Sequence, residues 1–218
     1  MHVLITGANR GIGHALAQNF TASGDRVTGT YRGDQPAGDG WQQLDVTDPA
    51  SHADLAARMA GDPVDLLVCN AGIYLDKGAR IGAGFEAQKW ADTFAVNVTG
   101  AYLTIEALLP NLRLSRAPRI AIISSMMASH ERAPGGSYIY RASKAAVLNL
   151  GRNLAADLAP EGIAVGIVEP GWVQTDMGGG VADLTLAQSI PMLRARLDAI
   201  DMATTGFFAR LDGAPHPY

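Results

Sequence analysis

The apolar positions of this chain alternate between short runs and longer stretches of helical period. Short runs occur at residues 2–6, 26–31, 41–44, 64–70, 119–124, 164–169 and 206–211, and they predict seven strands. Between them Ile12, Leu16 and Phe20 recur at helical spacing, Leu55 and Met59 repeat it, and Trp90, Phe94 and Val98 open a long third helix. Residues 145–158 read as helix again. This alternation predicts βαβ units and an α/β fold: a Rossmann-type doubly wound sheet of seven mostly parallel strands with helices on both faces. The least regular parts, 74–85, 128–137 and 171–182, all leave the carboxyl ends of predicted strands, where open α/β sheets bind ligands.

No repeat or linker divides the chain, so residues 1–218 are expected to form a single domain. Composition narrows the function classes further. A hydrophobic fraction of 48% with 17% charged residues fits a globular protein, and a net charge of -4 argues against a nucleic-acid partner. Arg113, Arg116 and Arg119 resemble a basic stripe but read more simply as a solvated helix end and loop. Cys69 stands alone, which rules out an intramolecular disulfide. Neither a signal peptide nor an apolar run of ~18 residues is visible, so no membrane partner and a cytoplasmic location are expected. His2, His14, His52, His130 and His216 share no ligand spacing with one another or with Cys69, so no metal is expected.

The first predicted strand ends in Thr6-Gly7-Ala8-Asn9-Arg10-Gly11-Ile12-Gly13, and helical periodicity begins at once. Missing side chains let backbone approach a pyrophosphate, and a helix amino terminus supplies free amides and a favourable dipole. A glycine cluster alone is weak; its place after the first strand of a βα alternation makes it a dinucleotide site.

The spacing T-G-x-x-x-G-x-G resembles that of the short-chain dehydrogenases/reductases. Further marks fall in the same order: Asp45-Val46 after the third strand, Asn70-Ala71-Gly72 ending the fourth, Asn97 in the long helix and Pro170-Gly171 after the sixth. More narrowly, residues 137–144, 170–179 and 206–213 are similar to the C-factor-like carbonyl reductases. The resemblance implies cofactor contacts at Gly7, Asn9, Arg10, Gly11, Ile12, Gly13, Asp45, Val46, Asn70, Ala71, Gly72, Pro170, Gly171, Val173 and Thr175. It also implies that Tyr140, Lys144, Ser125 and Asn97 carry the chemistry, with Tyr140 and Lys144 also touching the cofactor.

Tyr140 and Lys144, four residues apart, share one helix face. An ammonium about 4 Å from the phenol, at an effective dielectric of about 20, would be attracted by about 4 kcal/mol. That equals roughly three pKa units before desolvation opposes it, and the expectation is a phenol that titrates near working pH. Tyr138 is a rival, but four residues beyond it stands Ala142. Of Ser124 and Ser125 only one faces the nicotinamide, since strand residues alternate faces; the resemblance selects Ser125, while its long interval to Tyr140 keeps Ser124 open. For Asn97 the resemblance implies a helix kink and a water for proton delivery to Lys144; a side chain satisfied by backbone is the alternative.

The expected reaction is hydride transfer between nicotinamide and a carbonyl or alcohol substrate, with Tyr140 as general acid/base and Ser125 holding the oxygen. Arg32 ends the second strand where an acid would select NAD, and Arg10 faces the same phosphate, so NADP (NADPH) is preferred to NAD. Asp34 would reverse this preference if the strand ended later. Met126, Met127, Tyr138, Trp172 and Met177 are expected to line an apolar substrate pocket, or else to belong to the core. Apolar excess on helices near 86–109 and 140–158 points to a homodimer or homotetramer. Two other readings compete: a catalytically idle NAD(P)-binding sensor or signalling protein, and a sugar-nucleotide epimerase, for which the short carboxyl-terminal region leaves little room.

Overall fold

The computed structural model describes residues 1–217. Its strands are β1 (His2–Ile5), β2 (Arg26–Tyr31), β3 (Trp41–Gln43), β4 (Leu66–Cys69), β5 (Arg119–Ile123), β6 (Ala164–Val168) and β7 (Phe208–Ala209). They form one sheet in the order β3-β2-β1-β4-β5-β6-β7, and every pairing is parallel. The order reverses between β1 and β4, which opens a crevice at their carboxyl ends.

Strand periodicity explains why helices cover both faces. Leu4, Leu67, Ile120, Ile122, Val165 and Ile167 point to one side and are buried with Leu55, Ile105, Leu108, Val147 and Leu148. Their neighbours Val3, Ile5, Leu66, Val68, Ala121 and Val168 point to the other and meet Leu16, Phe20, Ile190, Leu193 and Leu197. The first face is covered by α2 (Pro49–Arg58), α4 (Gly100–Leu112) and α5 (Tyr138–Leu158), the second by α1 (Gly11–Ala22) and α6 (Leu186–Asp198). Full burial of each such side chain contributes about 1.5–3 kcal/mol relative to exposure.

Two helices differ from the sequence-based expectation. The long third helix is broken: α3 (Ala87–Phe94) and α4 are joined by a π-helical turn over Ala95–Thr99. Inside that turn Asn97 leaves the helix face to bond Ile73, which registers the helix against the loop after β4. Helix α6 was not foreseen, although Thr185 and Gln188 form the capping box that marks its start. Strand β7 is shorter than its apolar run because the chain turns back, pairing Ala209 with Pro215. The arginine stripe is dispersed: Arg113 pairs with Glu161, and Arg119 donates to the carbonyls of Leu197 and Asp198.

Candidate active site

The glycine loop is held by its neighbours. Gly7 has φ +62°, and a Cβ there would stand 3.1 Å from the Ala71 Cα. At Gly13 a Cβ would lie 2.5 Å from both the Gly7 carbonyl oxygen and Asn70 Nδ2, so this glycine serves the close packing of helix on strand. Asn70 Nδ2 donates to the carbonyls of Thr6 and Gly7 at 2.9 and 3.2 Å, while the Thr6 hydroxyl accepts from the amides of Asn70 and Ala71. Arg10 precedes α1 without a side-chain cap, leaving the first amides of the helix for an anion.

A cleft of about 480 Å³ runs from this loop in both directions. Gly7, Asn9, Arg10, Gly11, Ile12, Asn70, Ala71 and Gly72 line its middle; Arg32, Asp45 and Val46 line one end; Tyr140, Lys144, Pro170, Thr175 and Met177 line the other. Strand β2 ends at Tyr31, so Arg32 and not Asp34 faces the cleft. Burial tends to raise the Asp45 carboxyl, but hydrogen bonds from Thr47 and the charge of Arg32 hold it below the usual range. Arg10 Nη1 reaches Asp176 Oδ2 at 3.2 Å across the glycine loop.

Three expected cofactor residues, Gly13, Gly171 and Val173, fall outside the cleft lining, as do the expected catalytic residues Ser125 and Asn97. Gly171 sits where a Cβ would strike Leu184, and Val173 is buried, so the geometry assigns them packing.

At the catalytic end, Lys144 Nζ donates to the Ile123 carbonyl at 2.9 Å and stands 5.6 Å from the Tyr140 ring centroid. Burial lowers the Lys144 ammonium to about 8. The Tyr140 phenol is pushed well above its ordinary value by burial and by the neighbouring Tyr74, and the Ser125 hydroxyl hydrogen-bonded to it only partly opposes this. The expected depression of the phenol toward working pH is therefore corrected. Burial dominates, and the ammonium donates to the main-chain carbonyl of Ile123.

The serines separate as strand alternation requires. Ser124 is buried, donates to the Lys144 carbonyl at 3.2 Å and lines the cleft, whereas Ser125 lies outside that lining, caps the short helical turn Met126–Ala128 and stands beside Tyr140. Asn97 donates to the Ile73 carbonyl and the Ser143 hydroxyl and accepts from the Ile73 amide. Asn97 thus lies in the π-helical turn between α3 and α4, and its side-chain amide is satisfied by the Ile73 backbone and the Ser143 hydroxyl.

The expected substrate residues do not form one pocket. Met126 and Met127 line a separate cavity of about 400 Å³ with Arg132, Ala133, Pro134 and Arg141. Met177 lines the main cleft, while Tyr138 and Trp172 line neither and stand exposed, Tyr138 edge-on to Phe85 and Trp172 bonded to the Gly178 carbonyl. The sequence reading also missed Tyr74, Asp76 and Lys77. Tyr74 stacks on Tyr140 at 4.2 Å, Asp76 is buried and accepts from the Ile139 and Tyr140 amides, and Lys77 bonds two carbonyls of the opposite loop. Nothing in a polar loop marks such residues out from solvated ones.

A family model described as short chain dehydrogenase matches residues 1–183. The chain belongs to the short chain dehydrogenase family. Among its relatives, the C-signal protein of Myxococcus xanthus is 35% identical over 165 residues, covering 75% of this chain and 98% of that protein. The 3-oxoacyl-[acyl-carrier-protein] reductase FabG of Escherichia coli K12 is 32% identical over 192 residues, covering 83% and 76%. This short chain dehydrogenase also superimposes on the NADPH-bound carbonyl reductase from chicken fatty liver, with TM-score 0.87, 29% identity and coverage of 100% and 98%.

Proposed function

We propose that the protein is an NADP-dependent oxidoreductase that reduces a carbonyl to an alcohol and runs the reverse oxidation on the same groups. One observation carries this reading: Tyr140 and Lys144 meet at one end of a cleft whose other end holds Arg32. NADPH bound in the cleft would supply the hydride. The uncapped start of α1 and the glycine cradle suit its pyrophosphate, and Arg32 suits the adenosine phosphate. The NADPH carried by the chicken carbonyl reductase supports the choice of cofactor.

The buried Tyr140 stays protonated at neutral pH and so is ready to give its proton to the developing alkoxide. Ser125, beside the same phenol, would hold the substrate oxygen. Lys144, lowered to about 8, carries most of its charge at neutral pH and releases it just above, which suits a group that returns a proton to Tyr140. The test is a panel of aldehydes, ketones and quinones assayed by NADPH absorbance. Tight NADPH binding with turnover of none of them would overturn the proposal.

We further propose a homodimer paired through α4 and α5. Ala101, Leu109, Leu150 and Leu154 on those helices, and Val98 in the π-helical turn before α4, remain only half-buried. Sedimentation showing only monomer at micromolar concentration would reject it.

A further inference from the structure

The first turn of α5 is capped from far away. Ser137, the residue in the capping position, has φ +49° and makes no cap of its own, because its hydroxyl is joined to that of Tyr74. The free amides find Asp76 instead: Oδ2 accepts from the Ile139 amide at 2.8 Å and Oδ1 from the Tyr140 amide at 3.2 Å. Asp76 is 1% exposed, and no cation forms an ion pair with it among the described residues. It does not line the cleft.

From this geometry we infer that Asp76 is a positioning residue for Tyr140, an inference that rests on Tyr140 being the general acid. A buried carboxylate is costly unless donors surround it, and a surface helix is capped adequately by its own serine or threonine. Here the carboxylate grips the backbone amide of the proposed acid itself, so the Cα of Tyr140 is fixed to the loop that leaves β4. The same loop fixes the ring: Tyr74, two residues earlier, stacks on it with an interplanar angle of 21°. One short segment thus sets both the height and the plane of the phenol above the cleft. The effect acts through position and not through acidity, because the carboxylate contacts amides and never the phenolic oxygen.

The experiment compares Asp76→Ala and Asp76→Asn with wild type, using the carbonyl that the panel turns over fastest and counting active sites by NADPH titration. Asn keeps one acceptor but sets an amide nitrogen against a backbone donor, so it is intermediate by design. Misplacement by about 1 Å can cost ~10² in rate, so kcat per active site is expected to fall about 10- to 100-fold in Asp76→Ala and less in Asp76→Asn. The NADPH dissociation constant and the pKa of the kcat–pH profile should stay put, and the isotope effect with deuterated NADPH should rise. A purely structural cap would lower the number of active sites and the melting temperature but leave kcat per site unchanged. That result, in either variant that folds, overturns the inference. Tyr140→Phe separates the two readings: an inactive Phe variant beside fully active Asp76 variants removes only this inference. An active Phe variant, or no turnover of any carbonyl by wild type, removes the function reading and this inference with it.

Discussion

The ammonium of Lys144 is bonded to the carbonyl oxygen of Ile123, the last residue of β5, and this bond ties the second turn of α5 to the strand that Ser124 and Ser125 follow. It also fixes how Lys144 responds to pH. A lysine whose folded-state pKa is about 8 against a usual 10.5 burdens the fold with a buried charge at low pH. Between those two values the unfolded chain holds the proton more often than the folded one, so this group makes stability rise with pH. In Lys144→Met that rise should vanish. The stability of wild type relative to the variant should increase by on the order of 3 kcal/mol from about pH 7 to above about pH 10, read from urea melts at several pH values. A flat difference would contradict the buried, lowered ammonium.

Turnover should follow the same titration in the reductive direction. The rate is expected to fall as pH rises through about 8, when Lys144 loses its charge. Tyr140, pushed far higher by burial, should add no second limb in that range. A kcat profile without a limb near 8 would remove Lys144 from proton supply.

Replacing Tyr140 by Phe keeps the ring, and with it the stack on Tyr74. Turnover should drop by ~10² to ~10⁴ while NADPH affinity changes little, since positioned acid-base groups are worth that much. A variant that keeps more than about a tenth of the wild-type rate would refute the assignment.

The paired serines give opposite expectations. Ser125→Ala should lower kcat by about 10- to 1000-fold with a small change in stability, as loss of an oxyanion donor does. Ser124→Ala removes a buried bond to the Lys144 carbonyl; it should cost about 1 kcal/mol of stability and leave most of the rate. Reversal of the two would transfer the role to Ser124.

Cofactor choice should rest on Arg32. Charged hydrogen bonds contribute ~1.5 to ~3 kcal/mol, so Arg32→Ala is expected to weaken NADPH about 10- to 150-fold and NADH far less. Isothermal titration with both cofactors decides it, and a variant that weakens both alike would refute it. Asp176→Ala, which frees Arg10 from its exposed ion pair, should leave that selectivity intact.

The sequence by itself determined the fold and the spacing of the residues proposed for the site. Continuous apolar runs such as Val3-Leu4-Ile5 bury side chains on both faces, so they specify interior parallel strands. Likewise the glycine spacing after β1 and the Tyr140–Lys144 interval are local, because a turn of helix fixes what lies four residues apart. Tertiary structure decided whatever depends on residues distant in the chain. That Asp76 caps a helix starting at Tyr138, that Asn97 bonds Ile73, and that Lys77 reaches the Met177 and Gly178 carbonyls are contacts between separate loops, which no periodicity encodes. The phenol's acidity belongs with these contacts. Attraction could be read from the spacing of Tyr140 and Lys144, but the desolvation that raises the phenol and lowers the ammonium arises only when the packed domain removes both groups from water.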